Sequence, residues 1–146
     1  MTSLAHLARR FATSLSRRPP SPTDTEWALG LLLPDEAALW QRLSVSDRRH
    51  SILVARRFTE AAAGTERAEV AGALLHDIGK LSCGLGTFAR VAATVVGPRT
   101  TRFRAYHDHE RLGAELLAAA GSSPVTVELV LGRGALAAAL RRADDI

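Results

Sequence analysis

The stretch "GALLHDIGKL", Gly72 to Leu81, constrains this chain more than any other. It reads as a helix that is apolar at nearly every position and that ends on an imidazole and a carboxylate side by side, His76 and Asp77. Burying such a pair is costly unless something pairs with both groups. Capping of the helix end does not account for it. A histidine near a helix C-terminus is favoured by the dipole, but an aspartate there is not. Gly79 frees the backbone to turn sharply just afterwards, and the chain's single lysine, Lys80, comes next. A divalent metal is the partner that would satisfy both side chains.

The remainder of the chain can bury such a site. With 146 residues, 47% of them hydrophobic, it is long enough for one domain with a single core. Aromatic residues are only 5%, so Leu, Ala and Val must build most of that core, and with few strand-type alternations they favour helices. The formal net charge is +4, and all but one of the 19 basic residues are arginine. A basic surface attracts phosphates, nucleic acid or anionic lipid. Here the arginines are scattered among Asp and Glu, and no aromatic-plus-basic platform for nucleic acid is present. A compositional bias toward Ala and Arg explains them as well. The lone Cys83 offers neither an internal disulfide nor a CxxC site, which fits a reducing, cytoplasmic setting. Within "LSCGLG" it reads as a loop residue rather than an activated nucleophile.

No apolar run approaches the ~20 residues needed to cross a bilayer, so no membrane partner is expected. The N-terminal "SLAHLARRFATSLSRR" has no acid before Asp24 and resembles a transit peptide in composition. Leu4, Leu7, Phe11 and Leu15 also form one stripe of an ordinary amphipathic helix, the reading the pattern favours. "RRPPSPTDTE" should break that helix, since proline cannot continue it. Short helices are then expected over Trp27–Leu33 and from Pro34. Ser44 and Asp47 should open a helix that runs to Gly64, and Thr65 should cap one through "ERAEVAGALLHDIG". "LGTFARVAATVVG", "HERLGAELLAAAG" from Asp108, "VTVELVLGRG" from Pro124 and "ALAAALRRADDI" complete the list of helical segments. The expected fold is an all-α bundle with short connections. Trp27 and Trp40 fit either a core or an interface between copies.

Two further positions join His76 and Asp77. His50, Val54, Phe58 and Ala61 recur at helical spacing, so His50 sits on an otherwise apolar face. Alone it would read as a satisfied core histidine. Asp144 is in step with Leu140 and Leu136/Ala137, which places it on an apolar stripe, whereas Asp145 is less clearly inward. Two imidazoles and two carboxylates make a mixed N/O set suited to Mn, Fe, Co, Ni or Zn, with Mg bound through the carboxylates as another option. Such an ion lowers the pKa of bound water and polarises a phosphorus centre.

The order His50, then His76-Asp77, then Asp144 resembles the H…HD…D signature of the HD-domain superfamily of metal-dependent phosphohydrolases. "RRHSILVARR" is similar to the family's first-histidine helix, "ALLHDIGK" to its central motif, "HERLGAELL" to the segment after it, and "LRRADDI" to its closing motif. The resemblance covers about Leu39 to Ile146, and it looks like a small bacterial, actinobacterial-type branch with an Arg-rich N-terminal helix. It implies residues 1–38 as an N-terminal helical extension packed on an HD domain of residues 39–146.

For the site, the resemblance implies His50, His76, Asp77 and Asp144 as metal ligands. It implies Asp77 as the residue that orients or deprotonates water, and Lys80 as a point charge near substrate phosphate. One departure matters. Two-metal members carry further histidines after the central motif. His109 matches the first, but "ELVLGRGALAAAL" has none where the second should be. One tightly held metal is therefore expected, with any second one weak or absent. His109 then becomes a substrate contact or proton donor, with His107 as a poorer substitute. Arg104 and Arg133 are candidate phosphate clamps, though each also reads as a solvated surface arginine. The expected substrate is a small phosphomonoester or a nucleotide. The alternative is a catalytically weakened HD module that binds a nucleotide or a partner protein without turnover.

Overall fold

The structure is a computed structural model that describes residues 4–5, 8–9, 17–83 and 108–145. Among the described residues it is all helical. Leu7, Phe11, Leu15, the expected helix over "LGTFARVAATVVG", Arg104 and His107 lie outside the described residues. The described N-terminal residues 4, 5, 8 and 9 are helical.

Eight helices follow in order among the described residues. They are α1 (Pro22–Leu31), α2 (Pro34–Gln41), α3 (Val45–Ala61), α4 (Arg67–Leu74), α5 (Lys80–Cys83), α6 (His109–Ala119), α7 (Pro124–Val130) and α8 (Ala137–Asp144). None of them is long and apolar enough to cross a membrane.

Local chemistry explains most of the boundaries. The first apolar helix begins at Pro22 rather than near Trp27, within the stretch expected only to break structure. The hydroxyl of Ser21 accepts from the Asp24 amide at 3.1 Å, and proline is well suited to the first helical position. Ser44 caps α3 as expected, accepting from the Asp47 amide at 3.1 Å. For α4 the cap is Glu66, not Thr65: the carboxylate of Glu69 reaches back to the Glu66 amide at 2.8 Å.

The largest difference lies at the end of α4. The sequence pattern carries this helix to Gly79, but it ends at Leu74, and residues 75–79 form a run of tight turns. The amides of Ile78, Lys80, Leu81 and Ser82 each bond three residues back, to Leu75, Asp77, Ile78 and Gly79. His76 and Asp77 thus sit just beyond the helix, not in its last turn.

The core is built around Trp40, Phe58, Leu74, Leu75, Ile78 and Leu117, all essentially without solvent contact. It is formed where α4 packs on α3 and α7, α7 on α6, and α3 on α8. Gly72 lets α4 and α7 approach closely, because a Cβ there would lie 2.9 Å from the Leu129 side chain. Val54 and Phe58 are buried on the expected face of α3, while Ala61, at its end, is exposed. The preceding helices are tied in by a buried carboxylate. Glu36 accepts from the Leu33 amide at 2.8 Å and lies 3.3 Å from Arg67, which also donates to the Leu31 carbonyl. Ala28 is fully buried, and α2 runs across position 38 without a break.

Candidate metal centre

Three separate pieces of backbone bring titratable side chains to one place. α3 contributes His50, the turns after α4 contribute His76 and Asp77, and the last turn of α8 contributes Asp144. His50 and Asp144 are 94 positions apart in sequence, yet His50 Nε2 lies 2.8 Å from Asp144 Oδ1. His76 Nε2 lies 3.4 Å from the same oxygen. The ligand atoms of His50, His76 and Asp144 all fall within 4.8 Å of one another, a group that could hold a metal ion. Donors bound about 2.1 Å from a common ion are themselves about 3–3.5 Å apart, and the two distances to Asp144 lie close to that range.

The orientation of His76 supports this more strongly than the spacing does. Its Nδ1 lies 2.8 Å from the Ala73 carbonyl, which can only accept, so Nδ1 carries the hydrogen. That bond satisfies one of the orphan carbonyls at the end of α4. It also leaves Nε2 buried with no hydrogen-bond partner, directed at His50 and Asp144. An imidazole fixed through one nitrogen by a backbone carbonyl, with the other nitrogen presented to its neighbours, is how a metal-binding histidine is usually held.

Charges are strongly coupled here. Burial opposes protonation of His76, but the carboxylates of Asp77 and Asp144 outweigh it and raise its pKa to about 9. Burial would raise the Asp77 carboxyl, yet Lys80, His76 and His109 hold it well below the ordinary carboxylate range. Asp144 is likewise held low: His50 and the positive His76 overcome its burial. Without a cation the cluster therefore keeps a proton on His76 in the place where a metal's charge would serve.

Asp77 stands apart from the three-residue group. Its Oδ2 is 2.5 Å from Lys80 Nζ and 3.5 Å from His76 Nε2, and its Oδ1 is 3.3 Å from His109 Nε2. Both oxygens are engaged by cationic or hydrogen-bonding side chains. Lys80, expected to lie near a substrate phosphate, sits between Asp77 and, at 3.7 Å, Asp47. His109, at the start of α6, reaches the cluster through Asp77. The close approach of α6 depends on Gly79: a Cβ there would lie 1.7 Å from the His109 carbonyl oxygen. Arg133 is exposed, with its guanidinium 3.8 Å from Glu128. Asp145 is also exposed.

Asp47 is the residue that sequence reasoning missed. It was assigned only to capping, and its Oδ2 does accept from the Ser44 hydroxyl at 2.7 Å. Its other oxygen faces Lys80. The available signal was its spacing: Asp47 and His50 are three apart on α3 and share a face.

No family model matches the chain, and no curated protein or solved structure matches it.

Proposed function

We propose that this chain is an HD-type metal-dependent phosphohydrolase that acts on a small phosphomonoester or a nucleotide. The observation that carries the reading is the buried Nε2 of His76, which makes no hydrogen bond and lies 3.4 Å from Asp144 Oδ1, turned toward His50 and Asp144 by a backbone hydrogen bond on its other nitrogen. His50, His76 and Asp144 would hold the ion. A divalent cation there, of the Mn, Fe, Co, Ni, Zn or Mg kind, would supply an activated water and polarise the phosphorus centre. Asp77, kept ionised by its neighbours, would orient that water or take its proton. Lys80 balances the charge of Asp77 and Asp47 and stands beside the site as a fixed positive charge for phosphate oxygens. His109, 3.3 Å from the other oxygen of Asp77, would deliver a proton to the leaving group. A lone cysteine in a reducing, cytoplasmic compartment is consistent with this chemistry.

Elemental analysis of the purified protein, alongside a phosphoesterase and nucleotidase screen with added Mn or Co, tests the reading. About one equivalent of metal and turnover lost in Asp77→Ala are expected. Activity no greater than that of Asp77→Ala across the whole panel refutes it.

One observation favours a second reading. With both oxygens of Asp77 engaged by Lys80 and His109, the site is also suited to binding a nucleotide without turning it over. Nucleotide-dependent thermal stabilisation with no hydrolysis would select that module.

A further inference from the structure

We propose that the cavity beside the cluster receives the organic part of the phosphate ester, and that it selects an apolar or aromatic group over a small polar one. The inference rests on the phosphate-ester reading above and deepens it. The cavity has a volume of about 550 Å³, and His50 and Lys80 are among its lining residues, so it is continuous with the candidate centre. Pockets for small ligands fall in the range of about 300–1,000 Å³.

Its walls combine two properties. One is charge: Arg18, Arg49, Arg56 and Lys80 line it together with the carboxylates of Asp24 and Asp47, so a phosphate dianion entering it meets cationic side chains. The other is apolar surface. Pro19 and Pro20, just before α1, line it together with Ile52 and Leu53 of α3. Leu53 is 46% exposed although its neighbours Ile52 and Val54 are buried, so the middle of α3 presents a large aliphatic side chain to this space. A ligand that is anionic at one end and apolar at the other matches both properties.

The apolar wall is held in place. Arg49 Nη1 donates to the Arg18 carbonyl at 2.9 Å, fixing the segment before α1 against α3. Arg56 pairs with Asp24 at 3.2 Å and stacks on Trp27 with its guanidinium carbon 3.7 Å from the ring centroid. The N-terminal segment thus supplies the specificity surface, and the cluster supplies the phosphate end.

Two phosphonates that differ only in the organic group provide the test, since their C–P bond resists hydrolysis. Methylphosphonate and phenylphosphonate are titrated calorimetrically into the full chain loaded with Mn. Phenylphosphonate should bind about tenfold more tightly or better, as expected for burying a phenyl face. Leu53→Ala, which removes most of that aliphatic surface, and Leu53→Asn, which removes its apolar character without adding a charge, should each abolish that preference. Metal content and methylphosphonate affinity should not change. Equal affinities in the wild type, binding of neither compound, or a preference that survives both variants overturns the inference. Preference for phenylphosphonate without turnover of any ester upholds it and overturns hydrolysis alone.

Discussion

Replacing Gly79 by alanine should damage this protein far more than the addition of one methyl group suggests. The added Cβ would lie 1.7 Å from the His109 carbonyl oxygen, 2.6 Å from its carbon and 2.8 Å from the Gly113 amide nitrogen. All three are backbone atoms, so no side chain can swing aside. Reaching even a tight contact of 3.0 Å requires α6 to retreat by more than 1 Å from the turn that carries His76 and Asp77. Overpacking of this kind costs about 1–3 kcal/mol, and an immovable backbone places it at about 3 kcal/mol or above. For a chain of this size that lowers Tm by on the order of 10 °C. The same retreat pulls His109 from its 3.3 Å contact with Asp77. Gly30→Ala is the control. It sits inside α1 with nothing within 4 Å of the new methyl, so it should stabilise by about 0.5–1 kcal/mol through helix propensity. Denaturant unfolding followed by circular dichroism measures both. A Gly79→Ala variant within about 0.5 kcal/mol of wild type refutes the reasoning, as does a shift of equal sign and size in the two variants.

Other outcomes follow from the same geometry. His50→Ala and Asp144→Asn should each lose bound metal in elemental analysis while keeping the helical circular dichroism spectrum, because both side chains are only half-buried. In the metal-free protein the His76 resonance should titrate near pH 9, and in Asp144→Asn its pKa should fall, since a charge that sustains the proton is gone. That raised value has a sign for stability: the contribution of protonated His76 is complete below its unfolded pKa of 6.5 and is lost as pH rises through about 9. The same proton competes with a metal. Metal affinity should therefore rise about tenfold per pH unit up to about pH 9, with one proton released on binding, as calorimetry in buffers of different ionisation enthalpy would show. Thr126→Val should cost about 1–2 kcal/mol in unfolding free energy, because the buried Thr126 hydroxyl donates to the Ala68 carbonyl at 2.7 Å.

Most helix starts were legible because they depend on neighbours three or four residues away. Ser44 with Asp47 and Pro34 with Glu36 satisfy the first orphan amides of their own helices, and that chemistry is written in adjacent letters. The residue types of the site were legible too, since a His-Asp pair after an apolar helix and an inward Asp144 stand out against their surroundings. The turn at residues 75–79 was not. Helical periodicity carries through Leu75 and Ile78, and α4 stops only because His76 takes up the Ala73 carbonyl and Gly79 meets α6. The same holds for Asp77, whose partners Lys80 and His109 come from two other helices, and for Asp47, whose second oxygen has a role only once Lys80 is folded against it.

What the sequence determined by itself is thus the inventory: helices, caps, an apolar core, and two imidazoles and two carboxylates on inward-facing segments. What only the tertiary structure decided is their convergence. Packing of α3 on α8 sets the 2.8 Å between His50 and Asp144, and the approach of α6 to Gly79 sets the partner of Asp77. The physical reason is range. Capping and propensity act within a turn of helix, whereas which side chains meet is decided by how whole helices bury their apolar faces against one another.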